Sequence, residues 1–463
     1  MADEFDVIVI GAGPPGENAA GRSADRGLSA AIVEERLAGG ECSFYGCIPS
    51  KTLIRPGDVL AAARRVPGAA EAITGTIDVQ AAFAQRDYMT NNWEDAGDLK
   101  WFESKGIAFV RGHGRLAGPR AVEVETPEGT RRLRARKAVV LACGTVPLFP
   151  PIEGLADAKP WDNRDATAVK ELPRRLVVLG GGAIGAELAQ AFRRLGTEEV
   201  TVVEGADRLL SREEPFAGDE VRAAFEGEGI TVLTGARMTK VRREGPDGPV
   251  TGTLEDGREV TADEILVAVG RRANTNDVGF DTVGLEPGKF LSVDDRLRAT
   301  GVDGDWLYGV GDVAGLALFT HMGKYQGRLV GDIIAGMDVR DIGDRVAIPR
   351  VTFTDPQVAA VGLTEAQARE QGLNIRVVSY DTGAVSGAYT RGNGIHGTSQ
   401  IIVDEDRRVI VGATFTGPDV QEIVHAATIA IVGEVTLDTL WHAVPSFPTV
   451  SEVWLRLLEA YGL

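Results

Sequence analysis

The chain has 463 residues, an apolar content of 44% and a formal net charge of −18. Its length predicts about three domains, and its negative charge argues against nucleic acid or an anionic membrane surface as a partner. Three cysteines in so long a chain exclude a disulfide scaffold, and with no signal peptide or apolar run of about 20 residues we expect a soluble, cytoplasmic protein.

The first predicted element is a short apolar run at residues 5–10, which is typical of a buried parallel strand. It leads into a loop containing Gly11, Gly13 and Gly16, then into a helix of small residues and a second strand that ends at Glu34. This order predicts a Rossmann βαβ unit, because the glycines allow a pyrophosphate to approach the helix N-terminus. The acid about 20 residues further on accepts a hydrogen bond from a ribose hydroxyl.

Two cysteines follow this unit closely. Cys42 and Cys47 stand between a Gly-Gly pair that ends at Gly40 and a Pro-Ser-Lys stretch that ends at Lys51. In an ideal helix positions i and i+5 are too far apart for a disulfide, whose Cα spacing is at most about 7 Å, so the segment must fold back if the sulfurs are to meet. The alternative is that Cys42 and Cys47 are two unrelated buried thiols. A zinc site is not expected, because Cys143 is distant in sequence and no histidine is near.

The stretch that follows is less informative. It predicts helices around 58–65 and 79–105, a strand at 107–111, a hairpin at 121–134 and a buried strand that ends at Cys143-Gly144. The prolines between 147 and 151 indicate a domain boundary.

A second Rossmann pattern begins after this boundary. A strand at 175–179 leads to a loop with Gly180, Gly182 and Gly185, and a helix and another strand lead to Glu204. Two such units in one chain imply two nucleotides. Glu204 favours NAD, because its carboxylate would repel a 2′-phosphate. Arg208, four residues later, favours the phosphate instead.

The remaining sequence returns to the first pattern and then changes character. A strand at 264–269 leads into Gly270 and Arg271, and a second one leads into Gly311-Asp312, upstream of Thr320. From about residue 346 the chain is β-rich, with strands predicted near 349–356, 375–380, 398–403 and 409–415 and helices near 419–432 and 436–442.

Dinucleotide loop, Gly-Gly, C-x4-C and Pro-Ser-Lys in this order resemble the pyridine nucleotide–disulfide oxidoreductases, the family of dihydrolipoamide dehydrogenase, glutathione reductase and mercuric reductase. The resemblance covers essentially the whole chain. It implies an α/β fold with two Rossmann-like domains and an α+β C-terminal dimerisation domain. We therefore predict an FAD-binding domain at 1–150 and 274–345, an NAD(P)-binding domain at 151–273 and an interface domain at 346–463.

The resemblance also implies roles for single residues. Cys47 would be the thiol nearest the flavin and Cys42 the outer, interchange thiol, while Lys51, paired with Glu187, would stabilise negative charge on the reduced flavin. No metal site is implied. The residues predicted to bind FAD are Gly11, Gly13, Gly16, Glu34, Gly40, Lys51, Gly114, Gly144, Asp312 and Thr320. Those predicted to bind the pyridine nucleotide are Gly180, Gly182, Gly185, Glu187, Glu204, Gly270 and Arg271.

The pattern departs from the family near the C-terminus. Relatives that reduce disulfides carry His-Pro-Thr there, and this histidine acts as base for the partner subunit. A glutamate follows five residues after the histidine. This chain has Phe447 in place of the histidine and retains Glu452. A phenyl ring takes no proton, so a contribution often worth about 10²–10⁴ in rate is missing. His442 is the alternative base. Mercuric reductases and soluble transhydrogenases also lack the histidine, but neither subfamily matches fully.

We expect a homodimeric flavoprotein that passes hydride from NADH through FAD to a Cys42–Cys47 disulfide and on to an unknown small-molecule acceptor. In the alternative hypothesis, reduced flavin serves a quinone, a metal ion or a dye directly. A third hypothesis, from another class, is a flavin-binding redox sensor with little turnover.

Overall fold

The computed structural model describes residues 3–246 and 248–463. Its strands are β1 (Asp3–Ile10), β2 (Ala30–Glu34), β3 (Ala108–Arg111), β4 (His113–Leu116), β5 (Ala121–Thr126), β6 (Gly129–Leu141), β7 (Thr145–Pro147), β8 (Arg175–Leu179), β9 (Glu199–Val203), β10 (Ile230–Leu233), β11 (Met238–Arg243), β12 (Val250–Leu254), β13 (Glu259–Ala262), β14 (Glu264–Val267), β15 (Arg271–Ala273), β16 (Leu307–Gly309), β17 (Arg350–Thr352), β18 (Gln357–Gly362), β19 (Ile375–Asp381), β20 (Thr398–Asp404) and β21 (Val409–Gly417).

The helices alternate with these strands through most of the chain, as a Rossmann pattern requires. They are α1 (Pro14–Asp25), α2 (Gly40–Phe44), α3 (Cys47–Arg64), α4 (Val79–Met89), α5 (Ala96–Ser104), α6 (Asn163–Ala168), α7 (Ala183–Leu195), α8 (Pro215–Gly227), α9 (Thr320–Ile334), α10 (Gly343–Val346), α11 (Glu365–Glu370), α12 (Ser386–Tyr389), α13 (Val420–Val432), α14 (Leu437–Leu440) and α15 (Val453–Tyr461). Within the described residues, none of them has both the length and the apolar character that a membrane span needs.

The first of two compact units contains the residues up to Pro49, Asp87–Pro147 and Arg271–Arg345. Its main sheet has the order β3-β2-β1-β6-β5-β4, with β16 paired to β6. The neighbours β3, β2, β1, β6 and β16 are parallel. Strands buried on both faces are uniformly apolar, which explains why Val7, Ile8 and Val9 are inaccessible to solvent.

Glycines let α1 and α9 of this unit pack closely together. A Cβ on Gly327 would lie 2.3 Å from the Pro15 carbonyl oxygen, and one on Gly331 would lie 2.7 Å from Cβ of Arg22. Since Gly327 and Gly331 are one turn apart, they present one smooth face of α9 to α1. The two helices share an apolar cluster that includes buried residues of both and covers one face of the sheet.

The second unit contains Ser50–Arg86, Leu148–Gly270 and Val346–Leu463. It has a parallel sheet of order β10-β9-β8-β14, a small antiparallel sheet of order β11-β12-β13 and an antiparallel sheet of order β17-β18-β21-β20-β19. The last sheet forms a core with α13 and α15 through buried residues such as Phe415, Val424 and Leu457.

Several predicted elements differ from the observed ones. The helix predicted at 79–105 is two helices, α4 and α5, because Asn91, Asn92 and Trp93 between them have positive φ. One continuous strand, β6, replaces the second hairpin strand and the buried strand after it. The helix predicted at 58–65 begins earlier, at Cys47, as part of α3. The boundaries proposed for three domains stay a prediction.

A buried ion cluster in the second unit is centred on Asp355. Its carboxylate accepts hydrogen bonds from Arg65, just after α3, and from Arg194 of α7 at 2.7 Å. Its backbone amide donates to Oε1 of Gln190 at 2.8 Å. Burial opposes ionisation of Asp355, but the two guanidinium groups outweigh it and lower the pKa of Asp355. The cluster therefore holds α3, α7 and the segment after β17 together.

We predict that Asp355→Asn destabilises the protein, because it removes the carboxylate that Arg65 and Arg194 share, while Arg194 keeps its pairing with Glu228 at 2.6 Å. Losing a hydrogen bond to a charged group costs about 1.5 kcal/mol, or roughly 3–6 °C in Tm at about 2–4 °C per kcal/mol. The difference should shrink below about pH 4, since a carboxylate with a lowered pKa stabilises above its unfolded pKa and stops doing so as pH falls. Thermal melts across pH measure it. Exposed Asp338→Asn is the control, and an equal loss in both variants contradicts the prediction.

Candidate active site

The first glycine loop is shaped by backbone contacts. Gly11 has φ +104°, and a Cβ there would lie 2.4 Å from the carbonyl oxygen of Ala142. A Cβ on Gly16 would lie 2.0 Å from the carbonyl oxygen of Gly11. Oε2 of Glu34, at the end of β2, accepts from the Ala12 amide at 2.9 Å. Burial raises the pKa of Glu34, although this hydrogen bond opposes it. The acid therefore fixes the loop, while its contact with a ribose stays a prediction.

The second loop repeats this arrangement in the other unit. Gly180 has φ +108°, and a Cβ there would lie 2.5 Å from the carbonyl oxygen of Ala268, while one on Gly185 would lie 2.0 Å from that of Gly180. Oε2 of Glu204 accepts from the Gly181 amide at 2.6 Å. The two loops thus have the same construction, with the acid of the second strand bound to the amide of the loop's second residue.

The middle glycine of each loop has a different reason to be there. Gly13 and Gly182 have φ near −72° and −74°, where any residue is comfortable. A Cβ on Gly182 would meet no atom within 4 Å, and one on Gly13 would meet none closer than 3.9 Å. Each precedes a helix whose N-terminus has no side-chain cap. The start of α7 offers backbone amides, whereas α1 begins with Pro14 and Pro15, which have no amide hydrogen, and offers the amides of Gly13 and Gly16 instead. Together with the open space at the middle glycines, these amides fit the pyrophosphate of a dinucleotide, so the residues present fit FAD and a pyridine nucleotide.

Other residues predicted to bind FAD lie in the same unit as the first loop. Gly40 approaches the loop so closely that a Cβ would lie 2.6 Å from Cα of Gly13, and Gly114 packs on Val33. Gly144 has φ +70°. Asp312 accepts from Oγ1 of Thr145 at 2.7 Å, and burial raises the pKa of Asp312. These positions therefore all lie in the first unit, while their roles stay predictions.

The two cysteines meet at a helix start. Cys42 lies in α2, and Cys47 is the first residue of α3. Sγ of Cys47 is 3.4 Å from Oγ1 of Thr320, the first residue of α9. Hydrogen bonding with Cys47, together with burial, raises the pKa of Cys42, and hydrogen bonding with Thr320 opposes the rise. Neither cysteine is in a disulfide, so the chain holds a dithiol whose Cys47 contacts one hydroxyl.

An arginine anchors the segment just before Cys42. Arg271 donates to Glu41 through its two terminal nitrogens, both at 2.9 Å, and through Nε to Oγ1 of Thr145 at 2.7 Å. Glu41 is a residue that the sequence did not single out, and no local pattern could have found it. Gly270, which precedes Arg271, has φ +139°. That Gly270 and Arg271 bind the pyridine nucleotide stays a prediction.

Lys51 and Glu187 lie together in the second unit. Nζ of Lys51 is 2.6 Å from Oε2 of Glu187, whose side chain is only 6% exposed. The other oxygen of Glu187 accepts from the backbone amide of Phe353 at 2.9 Å, and the Phe353 ring centre is 4.9 Å from Nζ of Lys51. Phe353 therefore contacts both members of the pair. The sequence indicated only a strand there.

In the C-terminal part, one carboxylate oxygen has no hydrogen-bond donor among the described residues. Phe447 is 74% exposed and Val444 81%. Glu452 is buried, and its Oε1 accepts from Arg456 at 2.7 Å. Its Oε2 has no hydrogen-bond partner within the described ranges. A histidine in place of Phe447 would offer the N–H that a phenyl ring lacks. His442, the alternative base, is exposed.

Two dinucleotide loops of one construction, with a dithiol at the start of α3, define a flavin- and pyridine nucleotide-dependent oxidoreductase. Residues 5–328 match the pyridine nucleotide-disulphide oxidoreductase family, and residues 348–457 match its dimerisation domain. The chain belongs to the pyridine nucleotide–disulfide oxidoreductase family.

Similar proteins support the same assignment. Dihydrolipoyl dehydrogenase of Chlamydia muridarum is 32% identical, covering 98% of this chain and 96% of its own. Mercuric reductase of Staphylococcus aureus is 28% identical, covering 97% and 81%. A solved copper(II) complex of the HOCl-induced flavoprotein disulfide reductase RclA from Escherichia coli has a TM-score of 0.86 at 25% identity, covering 99% of both chains. The predicted fold class and enzyme class are confirmed, and the protein uses FAD and a pyridine nucleotide.

We predict that Gly182→Ala abolishes tight nucleotide binding without harming the fold. Its Cβ would meet no protein atom but would stand where a pyrophosphate approaches, so we expect NAD⁺ affinity to fall at least about tenfold, since close backbone approach is what the glycine permits. Flavin content and Tm should stay at wild-type values. Fluorescence titration with NAD⁺ measures the affinity.

Gly185→Ala is the matched comparison, because its Cβ would collide with the Gly180 carbonyl and should lower Tm as well. Unchanged NAD⁺ affinity in Gly182→Ala would refute the placement of the nucleotide on this loop.

Proposed function

We propose that the Cys42–Cys47 dithiol relays two electrons from the reduced pyridine nucleotide to an acceptor outside the protein. The observation that carries this proposal is Cys47 at the first residue of α3, with its Sγ 3.4 Å from Oγ1 of Thr320 and with Cys42 close enough for Cys47 to raise the pKa of Cys42. When bound, FAD supplies the two-electron chemistry that couples a pyridine nucleotide to this dithiol.

The chain's own residues account for the thiol steps. With a disulfide acceptor, the Cys42 thiolate attacks one sulfur and releases the other as a thiolate. Cys47 then attacks Sγ of Cys42, which closes the Cys42–Cys47 disulfide and releases the second thiolate. Two electrons and two protons leave the dithiol. The N-terminus of α3 favours the Cys47 thiolate, and Lys51, held by Glu187, supplies positive charge for the reduced cofactor.

A metal ion is the second candidate acceptor. Phe447 provides no base, which favours an acceptor that requires no proton transfer to that position. RclA, the structural neighbour, forms copper(II) complexes, also as a C43S mutant. In such a reaction two Cu²⁺ ions would be reduced to Cu⁺ while the dithiol becomes a disulfide and loses two protons. In a direct alternative, the acceptor takes its electrons without passing through the cysteines.

Three further features belong to the same proposal. NADH is the preferred donor, supported by Glu204 and by Arg208, whose guanidinium donates to the Ser211 carbonyl at 2.9 Å. The protein is a homodimer, supported by its dimerisation domain and by exposed Val444 and Phe447. A cytoplasmic location fits the three free cysteines.

Cys42→Ser tests the relay. We expect it to reduce NADH-driven turnover of a disulfide and of Cu²⁺ at least about 100-fold, because the outer nucleophile is lost, while turnover of a quinone or ferricyanide continues. Anaerobic titration of the wild type with NADH should produce a long-wavelength thiolate–flavin charge-transfer band. The assays use NADH and NADPH in parallel, and kcat/KM should be higher with NADH.

Cys143→Ser is the control for the loss of a thiol elsewhere in the chain. Absence of the charge-transfer band, with disulfide and Cu²⁺ turnover intact in Cys42→Ser, would exclude the relay and leave the direct alternative. No NADH oxidation with any acceptor would point to a redox sensor.

Phe447→His should restore a base. The family resemblance pairs Glu452 with a histidine at this position, and its Oε2 has no hydrogen-bond partner among the described residues, so we expect disulfide reduction to rise at least about tenfold, toward the range of general-base catalysis. NADH:ferricyanide turnover should not change. Phe447→Leu is the control, and sedimentation checks that both variants keep the wild-type assembly. No gain in Phe447→His would mean that the acceptor site is not built for disulfides.

A further inference from the structure

Two aromatic side chains of the first unit form a pair beside the dithiol. Tyr45 caps α2 three residues after Cys42, and its backbone amide donates to the Glu41 carbonyl at 2.8 Å. Residues three apart on a helix are neighbours, with Cβ atoms about 5–6 Å from one another. The Tyr45 ring lies against Trp93, with ring centres 5.3 Å apart and planes tilted by 35°. An aromatic pair therefore stands next to the thiol that attacks the acceptor in the proposed relay.

The backbone that carries Trp93 is strained. Asn91, Asn92 and Trp93 have φ of +50°, +52° and +63°, and a bulky side chain in this left-handed region is an outlier. Nε1 of Trp93 donates to Oδ1 of Asp87, on α4, at 3.1 Å, which fixes the orientation of the indole ring. Residues held in rare backbone conformations cluster at functional sites. The strained backbone and the hydrogen bond together keep the indole ring against Tyr45.

The surroundings of the pair indicate which ligand it suits. Both rings are partly exposed, and aromatic rings attract further rings in offset or edge-to-face arrangements. Negative charge stands beside them, because Asp87 bonds the indole of Trp93 and the exposed Glu94 follows it in the chain. Like charge disfavours an anionic ligand. The pair therefore suits an acceptor with a flat, uncharged aromatic group.

The missing base points to the same class of acceptor. The family resemblance places a histidine where this chain has Phe447, so no imidazole there exchanges protons with the reacting thiols. Thiol–disulfide exchange is faster when the leaving thiol has a lower pKa, and aromatic thiols are more acidic than aliphatic ones. An aromatic thiolate therefore leaves without needing a proton from that position.

We propose that Tyr45 and Trp93 determine acceptor specificity: they bind the uncharged aromatic part of a disulfide beside Cys42. The inference rests on the proposed relay and names the class of disulfide that the relay reduces. The Cys42 thiolate attacks one sulfur of the aromatic disulfide and releases an aromatic thiolate. Cys47 then attacks Sγ of Cys42, which forms the Cys42–Cys47 disulfide and releases the second aromatic thiolate. NADH supplies the two electrons that restore the dithiol.

Two uncharged disulfides that differ in aromatic character test this specificity. Holoenzyme is assayed with NADH and either dipyridyl disulfide or hydroxyethyl disulfide, and the two kcat/KM values are expressed as a ratio. We expect Trp93→Leu to lower the aromatic-to-aliphatic ratio about fivefold, mainly through KM, because ring–ring contacts beyond simple burial are lost. Trp93→Phe keeps a ring and should hold the ratio within about twofold of wild type. Tyr45→Leu should act like Trp93→Leu.

Trp101→Leu is the matched control. Trp101 belongs to the same unit, is 39% exposed and packs on Gly21 of α1, so its loss should leave the ratio unchanged. Flavin content and Tm verify the folding of every variant. Equal losses with both disulfides in Trp93→Leu, or a ratio that stays at the wild-type value, overturn the specificity role.

The preference for an uncharged acceptor has its own test. Dithiobis-nitrobenzoate is an aromatic disulfide with two carboxylates, and Glu94→Gln should raise its kcat/KM about twofold at low salt, because a like charge is removed. The same variant should change the value for dipyridyl disulfide less. Equal changes with both disulfides contradict the preference.

The outcomes also separate this specificity from the proposed relay. Bipyridine has the rings of the aromatic disulfide but no S–S bond, and its binding is measured by equilibrium dialysis. Should the relay be wrong, disulfide turnover persists in Cys42→Ser while bipyridine binding still weakens in Trp93→Leu. Should the aromatic pair be irrelevant, bipyridine binds all variants alike while turnover still requires Cys42.

Discussion

Under the proposed relay, the chemistry of the first unit depends on placing negative charge on the Cys42 thiol. Hydrogen bonding with Cys47 and burial both raise the pKa of Cys42. A thiol that stays protonated is a poor nucleophile. The family resemblance implies a histidine base at the position of Phe447, and a phenyl ring takes no proton. In this proposal the thiolate is favoured by fixed groups instead, which are Thr320 and the start of α3.

The dinucleotide loops could be predicted from the sequence because their constraints are local. Gly16 is required by its contact with the carbonyl of Gly11, five residues earlier, and such a contact leaves a fixed spacing in the chain. The contact that requires Gly11 is with the distant Ala142 and left no such spacing. The acid at the end of the second strand could be found for the same reason as Gly16. Its hydrogen bond with the loop amide could not be predicted, since the same spacing suits an acid that accepts from the backbone and an acid that accepts from a ribose hydroxyl.

Other parts of the site left no local pattern. Glu41 and Arg271 are 230 positions apart, and Phe353 contacts the Lys51–Glu187 pair from a stretch that indicated only a strand. The break between α4 and α5 was missed because consecutive positive φ values at Asn91, Asn92 and Trp93 have no periodic signal.

Glu204, which we propose sets the choice of nucleotide, also holds the loop in its shape. Its two oxygens accept from the amides of Gly181 and Ala206, each at 2.6 Å. A chain that evolved toward NADPH by discarding this carboxylate would leave both amides without an acceptor before any phosphate arrived. Cofactor preference in this protein is thus not a freely adjustable surface property. A change would require a second substitution that replaces the lost acceptors, so the two must be acquired together.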